Sequence, residues 1–362
     1  MLTLEELILT TDTADVLHQV EAKMREHFVI DDWEGVRIIL GIAVAHYAPG
    51  EMLWVRLPGA SRSGKTEILR PLSNHQDGAK MEAITPAAIR GGLVNGARIL
   101  DRIDGKLVIT KDISALLTTR RDARNEIFGL LRSVKDGELV ADFGIENGHV
   151  HQRARFDWIC ATTPVFEQYR QMESLLGERF IDIRWRAGDR QEMAFRAGLN
   201  NAQLTCIRSE VEAEVHLLMD TAKLEIHNIT LNERDVRIIS QYADKTATLR
   251  TPVQRDRQRN LIAPPHPEIG TDLTQGLCRI VTGLKLLCVN WEPYMNRFVW
   301  DGMPETRAKI MECLVEGITN TSDIAFQANI STTTVDIIIQ DLKLLGVIDN
   351  NRQLTMQLHN RW

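Results

Sequence analysis

The run Gly59-Ala60-Ser61-Arg62-Ser63-Gly64-Lys65-Thr66 holds the residue types and spacing most able to do chemistry in this sequence. It fits the pattern G-x-x-x-x-G-K-[ST] at every fixed position, and each position has a physical reason. The glycines let backbone N–H groups turn inward around phosphate oxygens, and a helix that begins there presents its N-terminus to the same anion. Lys65 would reach the β- and γ-phosphates, and the Thr66 hydroxyl would hold Mg²⁺. Such a metal also calls for a carboxylate at the end of a neighbouring strand. The stretch LVITKDIS supplies Asp112 just past its apolar run. The usual pattern ends that strand in Asp-Glu, whereas this one reads Lys111-Asp112-Ile113, with a single carboxylate. Either Asp112 serves the metal and the catalytic base comes from elsewhere, or Asp112 takes the Glu position and the metal help is missing. Nucleotide binding is therefore a safer expectation than fast hydrolysis.

These residues need elements to hold them. MLWVRLPG, residues 52 to 59, reads as a short buried strand running into the glycine turn, with a helix starting at Lys65. KLVIT (106 to 110) and FDWICA (156 to 161) are two further buried strands. Between them lie a helix from about Thr119 to Val134 and a stretch from Gly137 to Arg155 that alternates like a β-hairpin, with Asn147-Gly148 as its turn. Upstream, apolar Val16, Leu17, Val20, Met24 and Phe28 recur at helical spacing; a second helix runs from Asp32 to Ala48, N-capped by Asp31 or Asp32 and stopped by Pro49-Gly50. From Gln191 to about Asn290 the pattern is helical, broken by the Pro-rich run LIAPPHPEIG. Strand, turn and helix together set the class as α/β with a parallel sheet.

The same order of parts resembles the AAA+ ATPases. FDWICATTP ends a strand in small polar residues, and LLGERFIDIRW follows after a short helix. The resemblance implies that Thr163 (or Thr162) is the sensor-1 residue reading the γ-phosphate and that Arg179 is an arginine finger reaching into a neighbouring subunit's site. A hairpin just before the sensor-1 strand is similar to the insertion in the minichromosome-maintenance helicase, magnesium-chelatase and enhancer-binding-activator group. Its tip carries Glu146, Asn147, His149 and His151 and no Lys. The run from Leu53 to Arg184 is also similar to phage- and mobile-element-encoded ATPases, through LWVRLPGASRSGKTE, LVITKDIS, LRSVKDG and LGERF. That likeness favours Asp112 as the metal carboxylate. In the lid implied for such proteins a sensor-2 Arg leans on the γ-phosphate; Arg250, Arg255, Arg257, Arg259 and Arg279 are all candidates.

Residues 304 to 362 read as three helices followed by a strand, an Asn-Asn turn and a strand, with Thr321 and Ser331 as N-caps and Gly346 as a C-cap. That layout resembles a winged helix-turn-helix with STTTVDIIIQDLKLLG as recognition helix, its Ser331 to Thr334 end facing phosphate or bases and Arg352 in the wing. Five basic residues against seven acidic ones leave this tail at -2, so protein contact and DNA contact stand level.

With 362 residues, 44% apolar and 25% charged, the chain has the composition of a globular protein, and its net charge of -6 argues against coating nucleic acid by bulk charge. Five cysteines form no C-x-x-C pair, the start lacks a basic signal-peptide region and no run reaches membrane length, so a soluble cytoplasmic protein is expected. The expected plan is an N-terminal helical segment (1–48), an AAA+ core (49–187), a helical lid (188–301) and a winged helix-turn-helix (302–362). The resemblance implies an ATP- and Mg²⁺-using homo-oligomer, a hexameric ring or a filament, that remodels or translocates DNA as helicase or helicase loader. The alternatives are an ATP-switched assembly protein of transposition or phage defence with slow hydrolysis, and a DNA-binding transcription regulator.

Overall fold

A computed structural model describes residues 12–82, 84–89, 99–142, 149–170 and 179–361. Helix α1 (Thr13–His27) begins at Asp12, whose carboxylate accepts from the Ala14 N–H. Helix α2 (Trp33–Ala45) begins at Asp32, which accepts from Gly35 N–H at 2.9 Å and so is the cap of the two aspartates. Strand β1 (Trp54–Pro58) leads through the glycine turn into α3 (Lys65–Asn74). Then follow β2 (Gly78–Lys80), the short helices α4 (Pro86–Ile89) and α5 (Ile99–Ile103), and β3 (Leu107–Thr110). Helices α6 (Ser114–Leu117) and α7 (Arg121–Lys135) lead to a hairpin of β4 (Leu139–Asp142) and β5 (His149–Gln152), then to β6 (Asp157–Thr162) and β7 (Ile181–Asp182).

The sheet order is β2-β3-β6-β1-β7, and every pairing is parallel. A parallel sheet must be covered on both faces, which is why β1, β3 and β6 are buried at every position and largely apolar, Arg56 of β1 and Asp157 of β6 being the charged exceptions. Alternate residues go to opposite sides. Val55, Leu57, Ile109, Ile159 and Ile181 face a large core shared with α1, α2 and α3. Trp54, Val108, Trp158 and Cys160 face a second core built with α5, α6 and α7. The antiparallel hairpin stands apart from the sheet, with Leu139 opposite Gln152. Its expected tip, Glu146, Asn147 and Gly148, lies outside the described residues, as does the side chain of His149.

The remaining chain is helical: α8 (Arg190–Asn200), α9 (Leu204–Glu225), α10 (Glu233–Arg250), α11 (Thr271–Leu286), α12 (Glu292–Gly302), α13 (Glu305–Val315), α14 (Thr321–Ala328) and α15 (Thr332–Leu344). The Pro-rich break falls in the loop between α10 and α11. Helices α9, α10, α11 and α12 join the core under α1 and α2. At the crossing of α2 and α11 two glycines meet: a Cβ on Gly283 would fall on the Gly41 carbonyl oxygen. A third core joins α13, α14 and α15 to Leu249 of α10 and to Val299 and Trp300 of α12. The α14 cap is Asn320, whose side chain accepts from Ser322 and Asp323 N–H, so Thr321 is the first helical residue rather than the cap. Ser331 caps α15 as expected. Of the two strands expected after α15 the structure has one antiparallel bridge, Ile348 to Leu354. Segment 355–361 then runs back over the helices: Gln357 O accepts from Lys245 Nζ, His359 O from Trp300 Nε1, and Arg361 pairs with Glu312 at 2.8 Å. Among the described residues no helix is long and apolar enough to cross a membrane.

Candidate functional site

The glycine turn leaves the sheet at its carboxyl edge, where open α/β sheets place their ligands. Pro58 is in register with Thr162, and Gly59 N–H donates to Thr162 O at 3.1 Å. Gly64 caps α3 at φ +89°, a conformation that glycine adopts without a Cβ clash, and Arg62 is also left-handed at φ +59°. Gly64 offers no side chain to the first-turn N–H groups of α3, so that helix end is open to an anion. Gly59 and Ser63 are buried, Gly64 and Thr66 half-buried, and Ala60, Ser61 and Arg62 exposed.

Lys65 is 8% exposed and folded back into the turn. Its Nζ donates to the carbonyl oxygens of Gly59 and Ala60, both at 2.7 Å, and to Ser63 Oγ at 3.3 Å. Burial lowers its pKa from 10.5 to about 8, opposed by the negative charge of Asp112. Asp112 is exposed, two residues past β3, and its Oδ1 accepts from Ser114 N–H at 2.8 Å. Ser114 Oγ in turn lies 3.0 Å from Thr163 Oγ1 and 3.3 Å from Thr162 Oγ1, and accepts from Thr163 N–H. One serine, which sequence reasoning missed, thus ties the ends of β3 and β6 together beside the turn. The hydroxyl of Thr66 and the carboxylate of Asp112 are hard oxygen donors, the set Mg²⁺ takes when phosphates and water supply its other ligands. Among the described residues there is no group of three His, Cys, Asp or Glu that would hold a metal unaided.

Arg179 lies elsewhere. Ile181 pairs with Val55, which puts Arg179 level with Leu53, roughly 20 Å along the strand direction from Gly59 at about 3.3 Å per residue. Its guanidinium donates to Asp136 at 2.9 Å and Asp272 at 3.1 Å. Lys65, Thr66, Asp112 and Thr163 are therefore gathered at one sheet edge, and Arg179 sits at the other. Arg250 and Arg279 are at that far edge too: Arg250 is buried against Glu268 and the Phe180 carbonyl, and Arg279 against Asp157 at 2.7 Å. Arg255 pairs with Asp341 of α15, while Arg257 and Arg259 are exposed.

The residue most closely attached to the turn, Trp185, was not anticipated. Its indole N–H donates to Ser63 O at 2.6 Å. The alternation of apolar Ile181, Ile183 and Trp185 with charged residues in FIDIRWR marks a strand, but it does not show that Trp185 reaches the turn. Arg56 in the middle of β1 was a second signal, since a buried charge needs a partner. Asp182 meets it across β7 at 2.7 Å, and its carboxyl is held below the usual range by Arg56 and Arg170 against the effect of burial. On the far side of the turn, Glu67 of α3 receives two hydrogen bonds from Arg208 of α9, at 2.6 and 2.9 Å.

In the C-terminal helices polar groups are largely spent on one another. Arg352 donates to Thr319 O and Thr321 Oγ1, Thr321 donates to Asp336, and Lys343 donates to Asn350 O. Thr332 and Thr333 are exposed at the start of α15, and Phe326 of α14 is 90% exposed. No protein-family model matches this chain, and no curated protein is significantly similar to it.

Proposed function

We propose that this chain is a P-loop ATPase of AAA+ type that binds Mg·ATP in the 59–66 turn and hydrolyses it between subunits, in the service of DNA remodelling or translocation. The observation that carries the reading is the convergence of a buried, folded-back Lys65 with Asp112, Ser114 and Thr163 at the carboxyl edge of a parallel sheet. A phosphate entering the turn gives Lys65 a better partner than two carbonyl oxygens, and the first-turn N–H groups of α3 join it. Mg²⁺, when bound, supplies charge neutralisation at the β- and γ-phosphates, with Thr66 and Asp112 as its protein donors. Ser114 holds Asp112 and Thr163 in one geometry, so both would be available together to a terminal phosphate bound in the turn.

Arg179 is too far from its own turn to act there, so in this reading it acts toward a second copy, exchanging its Asp136 and Asp272 partners for the neighbouring site. A planar guanidinium at that interface neutralises charge on the transferring phosphoryl group. The test has two parts. Native mass measurement with a non-hydrolysable ATP analogue should show an assembly that Lys65→Ala abolishes. Turnover with and without DNA should be lost in Arg179→Ala while monomer-level ATP binding is kept. An assembly with negligible turnover and no response to DNA would favour the second reading, an ATP-switched assembly protein. The near-complete exposure of Phe326, in a tail with net charge -2, favours protein rather than DNA as the contact of the C-terminal winged-helix-like part in that case.

A further inference from the structure

Trp185 is 5% exposed and touches both ends of the glycine turn. Its backbone N–H donates to Pro58 O at 2.8 Å, and its indole N–H donates to Ser63 O. A Cβ built on Gly59 would stand 3.0 Å from the Trp185 Cβ and carbonyl oxygen. The turn cannot change shape at Gly59 or Ser63 without moving this side chain or breaking its bond. Its neighbours are pinned as well: Arg184 N–H donates to Asp301 Oδ2 at 2.9 Å, and Arg186 N–H to Asp32 Oδ2 at 3.0 Å. Arg297 bridges those two carboxylates, donating to both Asp32 oxygens, to Asp301 Oδ2 and to Arg184 O. The Arg184 side chain donates to Asp301 O and Met303 O, where α12 gives way to α13.

We propose that Trp185 is a positioning residue that sets the glycine turn for phosphate and passes a change in the turn to the α12–α13 junction through the Asp32–Arg297–Asp301 cluster. Close-packed interiors shift between discrete arrangements rather than deforming gradually, so a displaced Trp185 is transmitted. The proposal rests on the P-loop reading and adds to it a path of regulation.

The test uses the full chain with Mg·ATP. Trp185→Phe keeps a ring and loses the N–H, and should weaken binding about five- to tenfold, as the loss of one buried hydrogen bond does. In the native chain, ATP should change amide exchange at residues 301–305. Asp301→Asn should keep affinity within about twofold and lose that response. In the native chain the Trp185 indole N–H resonance should move on ATP addition, a measurement independent of whether the Phe variant folds. An unchanged affinity in Trp185→Phe, an unmoved indole resonance, or an exchange response that is missing in the native chain or survives in Asp301→Asn overturns the proposal. If instead the native chain and Lys65→Ala both fail to bind ATP, the P-loop reading itself falls.

Discussion

Lys65 carries a prediction that follows from its position. Burial holds its pKa near 8 in the free protein, and a bound triphosphate, being anionic, raises it. Above pH 8 nucleotide binding must therefore take up a proton, and affinity falls as pH rises. Between pH 7 and 9 the loss should be about tenfold, measured by calorimetry in buffers of different ionisation heat that also count the proton. A flat profile, with no proton uptake at pH 9, would contradict the burial of this amine. Lys65→Ala should abolish measurable binding in the same assay. Lys65, Thr66 and Asp112 were legible because each is fixed by a local pattern: a spaced glycine motif and the end of an apolar run. Ser114 and Trp185 were not, because their roles are set by contacts across 48 and 122 residues of chain, which no local spacing encodes.

Among the elements, those long enough to show a period were readable and the shortest were not. Helices α1, α2 and α7 and strands β1, β3 and β6 fall within a few residues of their expected limits. Strand β2, of three residues, is too brief to display alternation, and β7 pairs over only two residues of the longer alternating segment FIDIRWR; both exist because their neighbours offer a sheet edge. The α14 cap shows a finer limit: Asn320 and Thr321 are both good capping types, and only backbone geometry separates them, Asn320 being extended at ψ 131°. Asn320→Ala should cost about 1 kcal/mol in urea unfolding. At the α2–α11 crossing, Gly283→Ala forces a methyl onto the Gly41 carbonyl and should cost about 1–3 kcal/mol or more. A Gly283→Ala chain as stable as the native one would mean that the two helices do not approach so closely.

At the scale of the whole molecule, buried carboxylates decide behaviour in acid. Asp32 and Asp157 are held below their ordinary pKa by Arg297 and by His46 with Arg279, against burial, as Asp182 is by its arginines. Carboxylates with lowered folded values stabilise the native state above their unfolded pKa, near 3.8, and that contribution is lost as pH falls through the lower folded values. Asp301 is raised by burial and works in the opposite sense, but Asp235, also buried, is lowered by Lys285, so the lowered groups outnumber it. The thermal midpoint should therefore drop steeply below about pH 4, and a scan from pH 6 to 3 checks it. The arrangement of the C-terminal helices was legible as a separate pattern, but their attachment was not. The core they share with Leu249, Val299 and Trp300, and the return of segment 355–361 over α10, α12 and α13, have no local signature. That attachment has a mechanical meaning. A small body on a flexible tether reports nothing of what happens at its anchor, whereas one clamped on both sides turns with it. A displacement of α12 would be carried directly to α13, α14 and α15, because they share its core instead of hanging from it.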